Sequence, residues 1–388
     1  MPEPLPHRRF PWLRTSLCLL LLALLHTAVA APPVPSPPRL NARAYLMQDF
    51  QSGRILVEKN SHQRVEPASL TKLMTAYIVF KELKSGSLKL DEEVRISEKA
   101  WRTGGSKMFI EVNKRVKLED LLQGMIVQSG NDASVALAEH VAGSEDAFAS
   151  LMNEYAADLG MKDSHFVNST GLPHKDHYTT AHDLALLTRA LIREFPEYYK
   201  WYSQKAFTYN NITQYNRNKL LWRDESVDGV KTGHTQSAGY CLIASAKRND
   251  MRLITVVLGT GSENARAQET QKLLNYGFRF FETHRLYGPG ETLTTVRVWK
   301  GEVEQLPLGL AEELYVTIPR RQYDRLDAHM TIAPLITAPV ARGRTYGSVE
   351  VRLGEEVIAR RPLVALRDVA EGSLFQRLSD EVLLFFEE

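Results

Sequence analysis

The chain has 388 residues, with 48 Lys+Arg against 46 Asp+Glu and two Cys. That length exceeds one ordinary domain, and the cysteine count excludes a disulfide scaffold. At 44% hydrophobic and 24% charged, the composition is that of a folded globular protein rather than a disordered or fibrous one.

Residues 1–30 read as an export signal: His7, Arg8, Arg9 and Arg14 precede the apolar run Leu17 to Leu25, and Ala28-Val29-Ala30 follows as a small-residue cleavage site. The run is too short for the roughly 20 residues a membrane-spanning helix needs. Cys18 lies at the start of the run rather than after it, so lipid attachment is not expected. Cleavage after Ala30 removes Arg8, Arg9, Arg14 and Glu3 and leaves a formally neutral chain. With no Lys/Arg-rich run elsewhere, nothing favours nucleic acid as a partner. Only Cys241 remains, so no internal disulfide forms and stability rests on core packing.

Residues 31–41 form a Pro-rich extended leader. Ala44 to Met47 and Ile55 to Val57, separated by Gln51-Ser52-Gly53-Arg54, predict a hairpin. Helical periodicity follows over Leu70 to Leu83, Leu118 to Gln128, Ala133 to Ala142, Ala147 to Leu159 and Thr180 to Arg193. Strand character returns at Tyr240 to Ala246 and Leu253 to Leu258, before a helix from Asn264 to Glu282. After Tyr287-Gly288-Pro289-Gly290 the pattern turns to short alternating runs, Leu293 to Trp299, Leu314 to Ile318, Thr345 to Leu353 and Val357 to Leu366. The expected organisation is therefore an α/β (α+β) unit over 42–287, a β-rich unit over 288–370 and a tail over 371–388. In that tail Leu374, Phe375, Leu378, Val382, Phe385 and Phe386 fall on one helical stripe.

Three segments carry chemistry. Pro67-Ala68-Ser69-Leu70-Thr71-Lys72 puts a hydroxyl and an amine one helical turn apart at a helix N-terminus. Its apolar neighbours Leu70, Leu73 and Met74 can desolvate Lys72, and a neutral Lys72 can act as base toward Ser69. Gln128-Ser129-Gly130-Asn131-Asp132 is a polar turn between two helices, able to project Ser129 and Asn131 into a cleft or simply to cap the second helix. Val227-Asp228-Gly229-Val230-Lys231-Thr232-Gly233-His234-Thr235 leads into a strand. As an edge strand it could hold a carboxylate on Lys231 and Thr232 and let a peptide backbone lie against Gly233; taken alone it also reads as a surface turn. His165, His174, His177 and His182 sit in a polar loop with no Cys and no metal-peptidase motif, so neither metal nor cofactor is expected.

Ser-x-x-Lys, Ser-Gly-Asn and Lys-Thr-Gly, in this order, resemble the motif set of the penicillin-recognising serine enzymes, with Gly here in place of the usual Asp in the second motif. Their surroundings are similar to those of the low-molecular-mass D-alanyl-D-alanine carboxypeptidases, a subset of the penicillin-binding proteins. The likeness runs from about Ala42 to Leu366 and includes Phe278 to Thr283 and Arg361-Pro362-Leu363-Val364. It implies a β-lactamase/transpeptidase-like antiparallel sheet flanked by helices, with a helical subdomain and a small C-terminal all-β domain. It also implies Ser69 as nucleophile, Lys72 as base, Ser129 as proton relay to the departing D-alanine and Asn131 as orienting group. Lys231 and Thr232 would meet the substrate carboxylate, with Gly233 and Thr235 beside them, and the N–H groups of Ser69 and His234 would form an oxyanion hole. Arg217 and Arg266 match positions near that carboxylate, although each also suits a structural ion pair.

The implied substrate is a peptidoglycan stem peptide, the implied inhibitors are β-lactams, and the implied location is the periplasm or the periplasmic face of the cytoplasmic membrane. A serine β-lactamase would need an added Glu, and none occurs between Glu154 and Glu194. A D,D-endopeptidase would use the same motifs, and a catalytically idle wall-binding homologue would be expected to lose some of them. In such carboxypeptidases the tail commonly lies on the outer leaflet of the cytoplasmic membrane. Here Arg377 opposes Asp380, Glu381, Glu387 and Glu388, a net of −3 that works against anionic lipid. The loop Thr103 to Phe109 is shorter than in some relatives, which bears on any substrate contact it makes.

Overall fold

The computed structural model describes residues 34–387. The export signal read at 1–30 and the first residues of the leader lie outside the described residues.

Strands β1 (Ala44–Asp49) and β2 (Ile55–Lys59) form the expected hairpin, closed at Gly53 with φ 75°. A single 3-10 turn, Ala68–Thr71, leads into helix α1 (Lys72–Ser85). Leu73, Met74, Ala76, Tyr77, Ile78, Val79 and Phe80 are all buried. A helix apolar on every side belongs in the middle of a core, and α1 runs through this one. Around it stand α2 (Asn131–Ala142), α3 (Glu145–Asp158) and α4 (Ala181–Glu194). The last two begin at Ser144 and Thr180, whose side chains accept backbone N–H bonds from Ala147 and Asp183.

Strands β3 (Val227–Thr235), β4 (Gly239–Arg248) and β5 (Met251–Thr260) complete an antiparallel sheet in the order β2-β1-β5-β4-β3. The first strand pairs with the last, Leu46 facing Val256, and β3 is an edge. Side chains alternate across it. Leu46, Ile243, Ile254 and Val256 join the core of α1 to α4, while Met47 and Leu253 meet α5 (Glu263–Phe280) at Gly277, where a methyl group would overlap both.

Helix α5 stops at Phe280, and Phe281–Tyr287 is a strand paired with Leu314–Pro319. This corrects the sequence reading, which carried the helix to Glu282 and began the β-rich unit at residue 288. The side chains explain it: Phe281 is buried, and Thr283 Oγ1 donates to Asp49 Oδ2 at 2.7 Å, a contact made from the extended chain. A five-stranded sheet follows in the order Thr292–Arg297, Gln305–Gly309, Glu356–Ala365, Thr345–Leu353, Leu326–Ile332. Its core includes Leu306, Leu308, Val316, Val349, Val351 and Leu363. The tail forms helix α6 (Leu374–Glu387). No helix among the described residues is long and apolar enough to cross a membrane.

Candidate active site

The three segments singled out in the sequence converge on one cleft. Ser69 lies in the 3-10 turn before α1 rather than in the helix itself, and Lys72 opens the helix. Ala68, the residue before Ser69, has φ 49°, a left-handed conformation that costs a non-glycine residue about 1–2 kcal/mol. The turn is held by packing: Gly233 of β3 lies against Pro67 O, Leu70 and Ala68, leaving little room for any side chain at 233.

Lys72 is 1% exposed. Its Nζ lies 2.7 Å from Asn131 Oδ1, 2.6 Å from the Thr170 carbonyl and 3.1 Å from Ser69 Oγ. A neutral amine has two N–H donors and one lone pair. The carbonyl oxygens of Asn131 and Thr170 can only accept, so they take both N–H groups and direct the lone pair at the Ser69 hydroxyl. Burial, reinforced by the charge of Arg217, lowers the Lys72 pKa to about 7, with Asp132 and Glu145 opposing the shift.

Ser129 and Asn131 come from the turn between two helices. The segment Leu118–Gln123 widens into a π turn, Gly124–Gln128, and ends at Ser129 with φ 70°. This strained end aims the Ser129 hydroxyl inward, where Lys231 Nζ donates to it at 2.9 Å. Asn131 Nδ2 donates to Gly104 O at 2.7 Å, and Asp132 accepts from the N–H groups of Met108, Phe109 and Ile110. The loop carrying Ser106 is thereby fixed to the same corner.

On β3, Lys231 and Thr232 are 3% and 6% exposed. Burial first, then the charges of Lys72, Arg217 and Arg266, hold Lys231 well below the usual lysine range. His234 is exposed and stacks on Tyr240 with ring centroids 4.0 Å apart. Thr235 and His234 line the outer cleft of 360 Å³ with Ser69, Gly105, Ser106, Asn131, Gly171, Leu172 and Arg217. A recess of 150 Å³ adjoins it, reaching Ser129, Thr232, Gly233 and Arg266.

The two arginines differ. Arg217 is exposed to the cleft and makes no ion pair among the described residues. Arg266 is 3% exposed, and its guanidinium donates to the carbonyls of Gly233 and Arg217, each at 3.4 Å, with Glu263 at 3.8 Å. It buttresses the segments that carry the other groups. Two lysines and two arginines thus crowd one cleft, and each lysine's charged form is disfavoured by its basic neighbours.

Two contributors had no signal in the motifs. The Thr170 carbonyl is a backbone group, presented by a loop in which Asn168 Oδ1 accepts from the N–H groups of Thr170 and Gly171 at 3.2 and 2.7 Å. Gly171, at φ 83°, presses this loop onto the Ala68 carbonyl and has no space for a side chain. His177 lies beneath: Val167 N–H donates to its Nδ1 at 3.2 Å, so Nε2 carries the proton and donates to Thr71 Oγ1 at 2.8 Å. Burial lowers the His177 pKa to about 4, keeping it neutral. His165, His174 and His182 lie outside the cleft lining, and no metal-holding group of three or more His, Cys, Asp or Glu occurs among the described residues.

Known proteins resemble this chain over most of its length. A family profile described as D-alanyl-D-alanine carboxypeptidase matches residues 31–262, and a second, described as penicillin-binding protein 5, C-terminal domain, matches residues 281–371. The chain is 44% identical to D-alanyl-D-alanine carboxypeptidase DacC of Escherichia coli over 370 residues, covering 93% of this chain and 92% of that protein. Penicillin binding protein 5 from Haemophilus influenzae superposes with a TM-score of 0.84 at 41% identity, covering 87% of this chain and all of that one. Penicillin-binding protein D2 from Listeria monocytogenes, in its ampicillin-bound form, superposes at 0.58 with 32% identity over 63% of this chain and all of that one.

Proposed function

The chain belongs to the D-alanyl-D-alanine carboxypeptidase family, and from that premise we propose that it removes the terminal D-alanine of peptidoglycan stem pentapeptides through an ester on Ser69. The observation that carries the reading is the buried Lys72 amine, 3.1 Å from Ser69 Oγ with acceptors for both of its N–H groups.

In this reaction Lys72 takes the Ser69 proton as Oγ bonds to the carbonyl carbon of the penultimate D-alanine. The oxyanion is stabilised by the backbone N–H groups of Ser69 and His234. The C–N bond breaks, and the proton that Lys72 took passes through Ser129, held by Lys231, to the leaving nitrogen, which leaves Lys72 neutral again. Lys231, Thr232 and Arg217 hold the terminal carboxylate, and Arg266 keeps the Gly233 and Arg217 backbones in place. Water, deprotonated by Lys72, then cleaves the ester and regenerates the hydroxyl.

β-Lactams carry an acidic group and a strained amide, so they acylate the same oxygen. The loop that would bear a lactamase carboxylate instead offers the Thr170 carbonyl to Lys72. The nearby Glu145 is engaged by Lys99 and Ser169, at 2.9 and 2.8 Å. Among the described residues this leaves Glu145 unavailable to speed deacylation, and the penicillin adduct is expected to be long-lived. The test is a D-Ala-D-Ala peptide with labelled penicillin alongside. Ser69→Ala is expected to lower D-alanine release by at least about a thousandfold and abolish the label; full release by the variant would overturn the assignment. A cross-linked muropeptide assayed in parallel separates trimming from bridge cleavage.

The enzyme is read as exported, with α6 resting on the outer leaflet of the cytoplasmic membrane. Support comes from α6 itself, where Leu374, Phe375, Phe385 and Phe386 are 72–82% exposed. The acidic residues that argued against this contact are partly neutralised. Asp380 pairs with Arg297 at 3.3 Å and accepts from the Lys300 N–H, while Glu381 pairs with Lys300.

A further inference from the structure

A second cleft, of 510 Å³, lies between the catalytic and β-rich units. Its walls are the β1-β2 turn at Phe50 and Gln51, Arg189 and Arg193 on α4, and Glu312, Glu313, Tyr315 and Arg361 of the β-rich unit. Arg189 and Arg193 are four residues apart on one helical face, and Arg361 opens the Arg-Pro-Leu-Val segment for which the motifs gave no role.

Three observations separate this cleft from an ordinary charged surface. Arg189 is fixed: its Nε and Nη2 donate to the carbonyls of Phe50 and Gln51 at 2.7 and 3.0 Å, with the β1-β2 turn at Gly53 packed against the guanidinium. No carboxylate oxygen of a described residue lies within 4.0 Å of the guanidinium of Arg189, Arg193 or Arg361. The three also repel: burial, then Arg193, and further on Arg361, lower the Arg189 pKa to about 10, with Asp49 and Glu312 opposing. Of the two acids in the wall, Glu313 is bound to Arg285 at 3.0 Å. The cations therefore exceed the available acids, and guanidinium groups bind tetrahedral oxyanions through paired N–H donors.

We propose that this cleft binds a multiply charged oxyanion of the phosphate class, held by Arg189, Arg193 and Arg361 at the junction of the two units. The site is separate from the Ser69 cleft and does not depend on the reaction assigned there. The phosphate could be free in solution or borne by a lipid headgroup.

The test uses the full chain and the double variant Arg193→Gln/Arg361→Gln, leaving Arg189 intact because it holds the β1-β2 turn. A second double variant, Arg223→Gln/Arg344→Gln, matches the charge change elsewhere. Unchanged D-alanine release shows that each variant is folded. Calorimetric titration with inorganic pyrophosphate is expected to show binding that weakens about tenfold or more in the first variant and little in the second, which identifies a soluble source. If pyrophosphate does not bind but sedimentation with phosphatidylglycerol vesicles falls by that factor in the first variant alone, the phosphate is a headgroup's. Equal effects of both variants, or no effect of the first on either probe, would overturn the proposal.

Discussion

Lys72 is useful because it is uncomfortable. Removed from water and placed near Arg217, it titrates at about 7 rather than in the usual lysine range. The reactive form is the neutral one, so the rate of Ser69 acylation should rise with pH through about 7 and level off above it. Arg217 lowers the Lys72 pKa, so Arg217→Gln should move this limb toward alkaline pH while raising KM for substrates with a free terminal carboxylate. Stopped-flow acylation by a chromogenic β-lactam across pH 5–10 reads the limb, and a limb unmoved by Arg217→Gln would count against this coupling. The same shift sets a stability trend. Between about 7 and the unperturbed 10.5 the unfolded chain binds the Lys72 proton and the folded chain does not. This group therefore makes the fold more stable as pH rises through that window. Lys231, lowered in the same direction by burial and its cationic neighbours, adds to the trend.

At the scale of elements, the site depends on how three short segments are pressed together. Gly171 is where the loop carrying the Thr170 carbonyl meets the turn at Ser69, at φ 83° with the Ala68 carbonyl against it. Gly171→Ala should cost on the order of 3 kcal/mol, measured by urea titration, and lower turnover by displacing Thr170 from Lys72. His177→Phe removes the partners of Thr71 Oγ1 and Val167 N–H while keeping an aromatic ring. It should cost about 1–3 kcal/mol in the same titration. Neither residue was identified from sequence, because a backbone carbonyl has no side-chain signature and His177 stood among other histidines of a polar loop. The helical stripes and the strands at 239–260 were legible, since each buries one repeating face. The π turn at Gly124–Gln128 was not: the apolar-rich residues there continue the helical period, although Gly124 lies where an added methyl group would overlap Met108. The end of α5 was misread for the same reason, as Phe281 suits a helix as well as the strand it forms.

At the scale of the whole molecule, α6 and the catalytic cleft are built from separate parts of the chain, so removing one should leave the other intact. A chain ending at Ser373 should lose sedimentation with phospholipid vesicles and keep its rate on a soluble D-Ala-D-Ala peptide. Loss of both together would mean that α6 supports the fold instead. Raised salt weakens the exposed Arg297–Asp380 pair and should loosen α6 from the β-rich unit before it affects the core. The sheet order carries a last consequence, in time rather than space. Because β1 pairs with β5 and the turn at Ser69 packs against β3, an N-terminal fragment holding Ser69 and Lys72 should lack a working pocket. If the chain is exported amino end first, it should stay unreactive until residues near 260 have arrived and paired with strand one. Reactivity toward penicillin should thus serve as a stopwatch for maturation, with an antibiotic present during assembly capturing only chains whose folding is finished.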